Sequence, residues 1–581
     1  MSRPHRVAII GGGVAAMAAA FDLTDTPERR AHYQVTVHQM GWRLGGKGAS
    51  GRDLEDHDKI HEHGVHVWGG YYHNAFLLMR RCYEALGRRV GSPMRTIDDA
   101  FCPREHFSVY ERVDGERLRW DLPVPTSDGR PGDGRCWPRA REYLQLVSHA
   151  VSLLAARGQG GPGARRHKRR RARIMADYLK THARGVVRDR LWARGTHSID
   201  HEDWSHWLRR HGAREETLVS PLVRGIYDTM FAYRKGNTDE PALAAGRVLH
   251  TYARFMLGYR GSPFWELQGG MGDVVFAPLY EVLLRRGVRF EFFHRADGLH
   301  LDPDGCRIDR VSMTAQARTK DGQPYRPLVD IGGLPSWPAR PLWDELQDGD
   351  RLHADGVALE NPTVDPPGAQ RFELRRGEDF DDVLLAVGRG AVPTLCSEVV
   401  EHDPRWRRML HHTPTVMTHA LQVWADAPAQ ELPLPGAGVL ASGGTAPLAV
   451  AADMTHVVAR ESWGATGPRS CTYLCGVLDE REDADPFDPS AFVAEQLSPL
   501  QARARATFYE RNAQPSDRYT LTPPGSIRHR FGADESGLQN LYLAGDWART
   551  SYSLGTVESA CISGRNAAQA ILGEPLDIVG E

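Results

Sequence analysis

The chain opens on a short apolar run, Arg6–Ile10, then three glycines, then an alanine-rich stretch ending at Leu23. That order predicts a buried strand, a tight turn and a helix. Residues 33–39, YQVTVHQ, predict a second strand, and the three elements have the size of a β-α-β unit. Helical spacing of apolar positions returns over 72–86. Most of 140–260 also reads as helix, broken over 157–173, where Gly, Pro and a dense basic run predict a solvated loop. A helix over 273–286 and an alternating strand pair over 288–302 follow. Residues 320–370, rich in Pro, Gly and Asp, predict an irregular surface insertion with one short helix. Beyond it the pattern predicts a strand over 380–388, mainly strands over 414–480 and a helix over 492–513. A strand over 538–546 and a helix over 556–572 close the chain.

Composition narrows the class. Of 581 residues 41% are hydrophobic and 25% charged, ordinary globular usage that excludes a disordered or fibrous chain. A net charge of −2 supplies no basic field, so no nucleic-acid partner is expected. The eight cysteines are scattered, without a disulfide framework, and Cys471 and Cys475 sit in an apolar run as core thiols. The first residues lack the apolar stretch of a signal peptide, and no run approaches the ~20 apolar residues of a membrane span. A cytoplasmic location is the expectation. The basic run Arg165–Arg173 has a second reading besides a solvated loop: it could meet anionic lipid head groups, which attract such clusters, giving a peripheral membrane contact.

The glycine turn carries the first chemistry. Gly11-Gly12-Gly13-Val14-Ala15-Ala16 fits G-x-G-x-x-G/A, between a strand and a helix, in the context a dinucleotide site requires. Gly11 allows the turn, Gly13 lets backbone approach a pyrophosphate, and Ala16 lets helix pack on strand. The helix start at Ala15 and Ala16 offers free N–H groups and a positive dipole to phosphate. The second strand should end in an acidic residue for the ribose hydroxyls. Here Gln39 and Met40 stand there, so a hydrogen bond remains and the charge does not.

Next, Gly41-Trp42-Arg43-Leu44-Gly45-Gly46-Lys47 resembles the second fingerprint, R-x-G-G-R/K, of glutathione-reductase-like FAD proteins, the flavin amine oxidase and carotenoid desaturase superfamily. Lys47 stands where that superfamily usually has Arg, replacing a planar fork by a point charge. Asn540–Trp547, NLYLAGDW, resembles its last strand, and Gly555–Ala560, GTVESA, the start of its last helix. Ile60–Phe76 and Gly261–Asp273 are similar to segments of the plant-type phytoene and zeta-carotene desaturases, with a related version in hydroxysqualene dehydroxylases. The resemblance covers about residues 5–85, 250–300, 380–425 and 525–575.

The resemblance implies an α/β fold: a glutathione-reductase-like, Rossmann-type FAD-binding domain interleaved with an α+β substrate domain. The FAD-binding segments would be 1–90, 250–311, 376–400 and 525–581, the substrate segments 91–249 and 401–524, and 312–375 an insertion. It implies FAD held by Gly11, Gly13, Ala15, Ala16, Gln39, Met40, Arg43, Gly45, Gly46, Lys47, Gly64, His66, the backbone at Ala296, Gly545, Asp546, Thr556 and Val557. Asp546 would bond the ribityl or phosphate part, and the backbone from Thr556 to Glu558 would meet the flavin N1/O2 edge. Binding would be non-covalent, since no Cys or His lies between Gly545 and Thr556. In His61-Glu62-His63-Gly64-Val65-His66 the HExxH zinc pattern is absent, and no metal is expected; Gly64, Gly69 and Gly70 would line the flavin face with His66 as a polar neighbour.

Flavin chemistry needs orientation and dryness from the protein more than an acid or base. His66, Tyr71 and Tyr552, with Trp547 and Arg549, are the candidates to line the reacting region, shaping it more than carrying protons. The leading expectation is an FAD-dependent desaturase or dehydrogenase that passes hydride from an apolar, isoprenoid-like substrate to flavin N5, with O2 or a quinone as later electron acceptor. A flavin amine oxidase for a secondary-metabolite amine is the alternative, with Trp547 and Tyr552 as the rings that would flank a cation. A non-oxidising FAD protein, an isomerase or a structural subunit, is the third. Oligomeric state is not legible.

Overall fold

Ten elements place the site: strand β1 (His5–Ile10), helix α1 (Val14–Leu23), β2 (Tyr33–Gln39), α2 (His73–Leu86), α3 (Pro162–Arg188), α4 (Ala245–Leu257), β3 (Arg289–Phe292), β4 (Asp382–Leu385), β5 (Leu541–Leu543) and α5 (Val557–Leu572). The computed structural model describes residues 3–104, 106–113, 116–123, 126, 129–135, 162–431, 441–442, 447–481, 486–496 and 504–581. The five strands form one sheet in the order β3-β2-β1-β4-β5, every pair parallel. A parallel sheet is covered on both faces, so its strands are apolar throughout. Val7 and Ile9 of β1 pack with α1, α2 and α5, while Ala8 and Ile10 pack on the other face with Val311, Met313, Trp406 and Trp547. Chain order reverses at β1: β2 lies on one side of it and β4 on the other, which opens a crevice beyond the carboxyl ends of these two neighbours.

Small residues bring α1 and α5 together. A Cβ at Gly564 would stand 2.1 Å from the Ala15 carbonyl oxygen, so only glycine fits. At the far end of α1, buried Asp22 accepts from Arg565 of α5 at 2.9 Å, and Arg565 donates to Asn74 of α2 at 3.0 Å. This clasp ties three helices that lie far apart in sequence.

A second sheet has seven strands, in the order 504–512, 418–425, 470–477, 450–453, 441–442, 106–113, 116–123, and it packs with α3, α4 and the short helices between them. Cys471 and Cys475 are buried in its third strand. A smaller sheet joins 294–301, 308–315 and 370–375.

Four expectations are corrected. The basic run is no loop: from Pro162 the chain is one helix, α3, because Arg, Lys and Ala favour helix and Ile174, Tyr178, Thr181 and Gly185 bury one side. Residues 136–161 of the expected helical stretch lie outside the described residues. Of the helix expected over 492–513, the part described up to Gln496 is helical (Pro489–Gln496), residues 497–503 lie outside the described residues, and Ala504–Asn512 is a strand, since pairing with 418–425 overrides local helix propensity. The strand pair at 288–302 is two strands in two sheets, separated at Phe293, which has φ of 60°. The 320–370 segment is anchored, with Tyr325, Trp337, Leu346, Leu352 and Leu359 buried and a hairpin at Val329–Ser336. Among the described residues no helix is long and apolar enough to cross a membrane.

Candidate functional site: a dinucleotide cradle at the sheet crevice

The glycine turn is forced by its neighbours. Gly11 has φ of +104°, and a Cβ there would meet the Ala386 oxygen at 2.7 Å. A Cβ at Gly13, by contrast, would find only the Gly45 oxygen, at 3.8 Å, so open space lies over it. Gly13 caps α1 without a side-chain hydrogen bond, and the first turn carries no acidic residue. The orphan N–H groups of Val14, Ala15 and Ala16 are thus left for an anion. The second fingerprint meets this turn directly. Gly45 N–H donates to Gly12 O at 3.0 Å, Gly13 and Gly45 form an isolated bridge, and Gly46 is exposed beside Gly13. Two glycine segments therefore leave an open slot between them.

The chain's end reaches the same slot. Lys47 Nζ pairs with a carboxylate oxygen of buried Asp546, whose other oxygen accepts from Thr520 Oγ1 at 3.2 Å. Arg530, buried, donates to the Asp546 carbonyl at 2.9 Å and to Leu521 O and Thr522 Oγ1 at 3.1 and 2.8 Å; burial pulls its guanidinium down to about 10. Ser563 Oγ accepts from Gly545 N–H at 2.9 Å. Thr556 Oγ1 caps Ser559 N–H at 3.2 Å, so the first-turn amides of Val557 and Glu558 have no partner within the helix. The Glu558 side chain turns the other way, accepting from Asn74 N–H, Asn74 Nδ2 and Ala75 N–H at 2.9 Å each. It caps α2, and burial raises its carboxyl to about 7 against those donors.

The His-rich segment divides its rings. His61 stacks on Phe508, centroids 3.8 Å apart. His63 lies against Arg43, Nε2 to Nη2 at 3.0 Å, and burial holds it down to about 3. Burial also opposes charge on His66, but its contact with the Glu62 carboxylate and its hydrogen bond to the Lys47 backbone carbonyl outweigh it and raise its pKa. Glu62 in turn accepts from Met271 N–H at 2.9 Å. Glu62 and the Lys47 backbone thus hold His66 beside the second fingerprint and favour its charged form. A Cβ at Gly64 would meet nothing within 4 Å, so the segment is open at that point.

Comparison with known proteins fits this geometry. A family model described as an NAD(P)-binding Rossmann-like domain matches residues 9–82, and one described as flavin containing amine oxidoreductase matches residues 501–572. In these two segments the chain is similar to the flavin amine oxidase and carotenoid desaturase superfamily. Its curated relatives include a probable zeta-carotene desaturase of Synechococcus elongatus, 24% identical over 65% of this chain and 63% of that protein. A zeta-carotene desaturase of Solanum lycopersicum is 22% identical over 49% of this chain and 40% of that one. The chain therefore matches less than two thirds of these relatives' length. Among solved structures, a putrescine oxidase with putrescine bound superposes with a TM-score of 0.54 at 14% identity, over 98% of this chain and 100% of that one. This last likeness concerns the fold.

Other expected residues find different places. Arg43 is committed to Glu360 of the insertion through two bonds of 2.8 Å. Gln39 turns back, Nε2 donating to Met40 O at 2.6 Å, with its oxygen over Gly12. Ala296 pairs with Met313 in the small sheet, two residues past His294, whose Nδ1 lies 3.2 Å from His38 Nδ1; burial lowers both imidazoles, to about 4 and about 3. Tyr71 and Tyr552 are buried together, Tyr552 Oη donating to Tyr71 O at 3.3 Å. Trp547 and Arg549 are corrections. Trp547 donates to Val387 O at 2.9 Å inside the core on the far face of the parallel sheet, and Arg549 pairs at the surface with Glu535.

Sequence reasoning missed the wall beyond the last helix. Gly555 is backed by the Tyr519 ring, within 2.6 Å of where a Cβ would stand. Phe231, at φ of 48°, meets that ring edge-on at 5.1 Å. Val65, Val67, Phe231 and Phe255, all half-buried, pack with Phe264, Ala420, Val450 and Cys475. Phe255 then meets Tyr71 at 5.8 Å. A bulky residue in the left-handed region costs of order 1–3 kcal/mol and marks Phe231 as held there by its surroundings. No local pattern flags it.

Proposed function

We propose that the chain is an FAD-dependent oxidoreductase, a desaturase or dehydrogenase, that takes hydride from an apolar, isoprenoid-like substrate. The observation that carries this reading is the convergence of Gly13, Gly46, Lys47 and Asp546 on one slot, next to a wall of Tyr519, Phe231, Val65, Val67 and Phe255. Bound FAD supplies the hydride acceptor at its isoalloxazine ring. The protein's work is the rest. The first turn of α1 and Lys47 would neutralise the pyrophosphate, Asp546 would accept from a hydroxyl of the ribityl or phosphate arm, and the amides of Val557 and Glu558 would place positive dipole at the ring's N1/O2 edge. The aromatic and aliphatic wall would exclude water and hold a hydrocarbon against the ring.

The amine alternative has less support. Its two rings were to be Trp547 and Tyr552, but the first is in the core and the second packs on Tyr71. Anaerobic mixing of the flavin-loaded protein with detergent-dispersed partly saturated polyenes, and separately with amines, tests the choice. Bleaching of the flavin by a polyene and not by an amine is expected; bleaching by an amine alone would reverse it.

A further inference from the structure

Helix α3 buries one side and shows an unusual other side. Ile174, Tyr178, Thr181 and Gly185 face the protein, and the rings of Tyr178 and His182 meet Tyr252 of α4 at 6.2 and 6.1 Å. A helix with one face in water normally carries polar residues there. Here Ala172, Ala176, Leu179, Ala183 and Val186 recur at helical spacing on the outer side, joined by Val187, and all are exposed. Leu179 is 52% exposed and Val187 67%, and Trp192, one short turn beyond the helix, is 78% exposed. Beside this stripe stand exposed Arg169, Lys180 and Arg188, while Arg173 pairs with Glu216 at 2.7 Å. The one carboxylate of the helix, Asp177, is occupied by Arg214 N–H and Thr217 Oγ1, at 2.9 and 2.7 Å.

We propose that this outer face of α3, with Trp192, docks on an anionic lipid bilayer. The apolar stripe would enter between head groups, Trp192 would sit at the interface, and the flanking arginines and lysines would meet lipid phosphates. Charge and apolarity together choose the occupant. A nucleic acid would use the basic flank and leave Leu179, Val186, Val187 and Trp192 in water. A second copy of the chain, meeting this face symmetrically, would bring like charges together. Behind the face, rings lead inward from Tyr178 to Tyr252, on to Phe255 at 6.4 Å and to Tyr71. The docked side is therefore one helix away from the apolar wall. The inference goes beyond the proposed reaction and is tested without it.

The test is co-sedimentation of the flavin-loaded protein with vesicles of phosphatidylcholine, with and without phosphatidylglycerol, at low and high salt. Two variants accompany it, Leu179→Glu/Val187→Glu and Arg169→Glu/Lys180→Glu, both at exposed positions, with flavin absorbance and thermal melting as checks on folding. Binding should need phosphatidylglycerol, fade with salt as the Debye length shrinks from about 10 Å at 0.1 M, and weaken about fivefold for each basic residue removed. It should also fall in the Leu179→Glu/Val187→Glu variant, and the Trp192 contribution to emission should shift to the blue. Absence of binding under every condition, or full binding by the Leu179→Glu/Val187→Glu variant, would overturn the proposal. So would a wild-type dimer that Val187→Glu dissociates, which would make this face a contact between copies.

Discussion

Replacing Asp546 by Asn probes the point where both ends of the chain meet. The substitution keeps shape, and Arg530 keeps its bond to the backbone carbonyl of the residue, so the turn after β5 should hold. What disappears is the charge that binds Lys47 and the strongest acceptor in the slot. A hydrogen bond to a charged group is worth ~1.5–3 kcal/mol, which corresponds to about 10- to 150-fold in FAD dissociation constant. Since Lys47 and Asp546 act as a pair, Lys47→Gln alone should weaken binding, and the double variant should lose less than the sum of the two. The assay is titration of the flavin-stripped protein with FAD, read by flavin fluorescence, with circular dichroism to confirm the fold. Unchanged affinity in Asp546→Asn would refute the assignment of this carboxylate to the cofactor.

Other expectations follow from the same geometry. Glu558→Gln turns an amide N–H₂ toward N–H donors at the start of α2 and should cost ~1–3 kcal/mol, seen as a lower melting temperature in flavin-free protein as well; an unchanged melt would mean that Glu558 does not cap the helix. Trp547→Phe should lower stability by removing the bond to Val387 while leaving substrate preference unaltered, and an altered preference would place the indole at the site after all. The His66–Glu62 pair has a pH signature: a histidine whose pKa is raised on folding stabilises fully below its ordinary value of 6.5 and loses that contribution as pH rises through the folded value. Stability should therefore decline with rising pH above 6.5 more steeply in the native protein than in His66→Gln, and equal slopes would contradict a raised His66 pKa.

The glycine-bearing turns were legible because their backbone demands are local: Gly11 must take positive φ against Ala386, and no other residue does so cheaply. The strand–turn–helix order of 5–23 and the final helix could be read for the same reason. What escaped depends on partners distant in sequence. Arg43 resembles a phosphate ligand until Glu360, 317 residues on, is seen to occupy it. Ala504–Asn512 reads as helix until its neighbour in the sheet is known. Glu558 looks like part of a cofactor motif, yet its side chain serves α2, nearly five hundred residues earlier. The basic run misled in another way, since Gly and Pro at its start suggested a loop, whereas from Pro162 onward the chain is helical.

The central claim is that both ends of the chain build one FAD cradle. The most direct measurement is to purify the native protein, denature it, and identify and quantify what is released. The account predicts about one FAD per chain, fully released on denaturation, with the yield falling sharply in Asp546→Asn at limiting FAD. A protein that releases only NAD, or that keeps its flavin covalently attached, would contradict it.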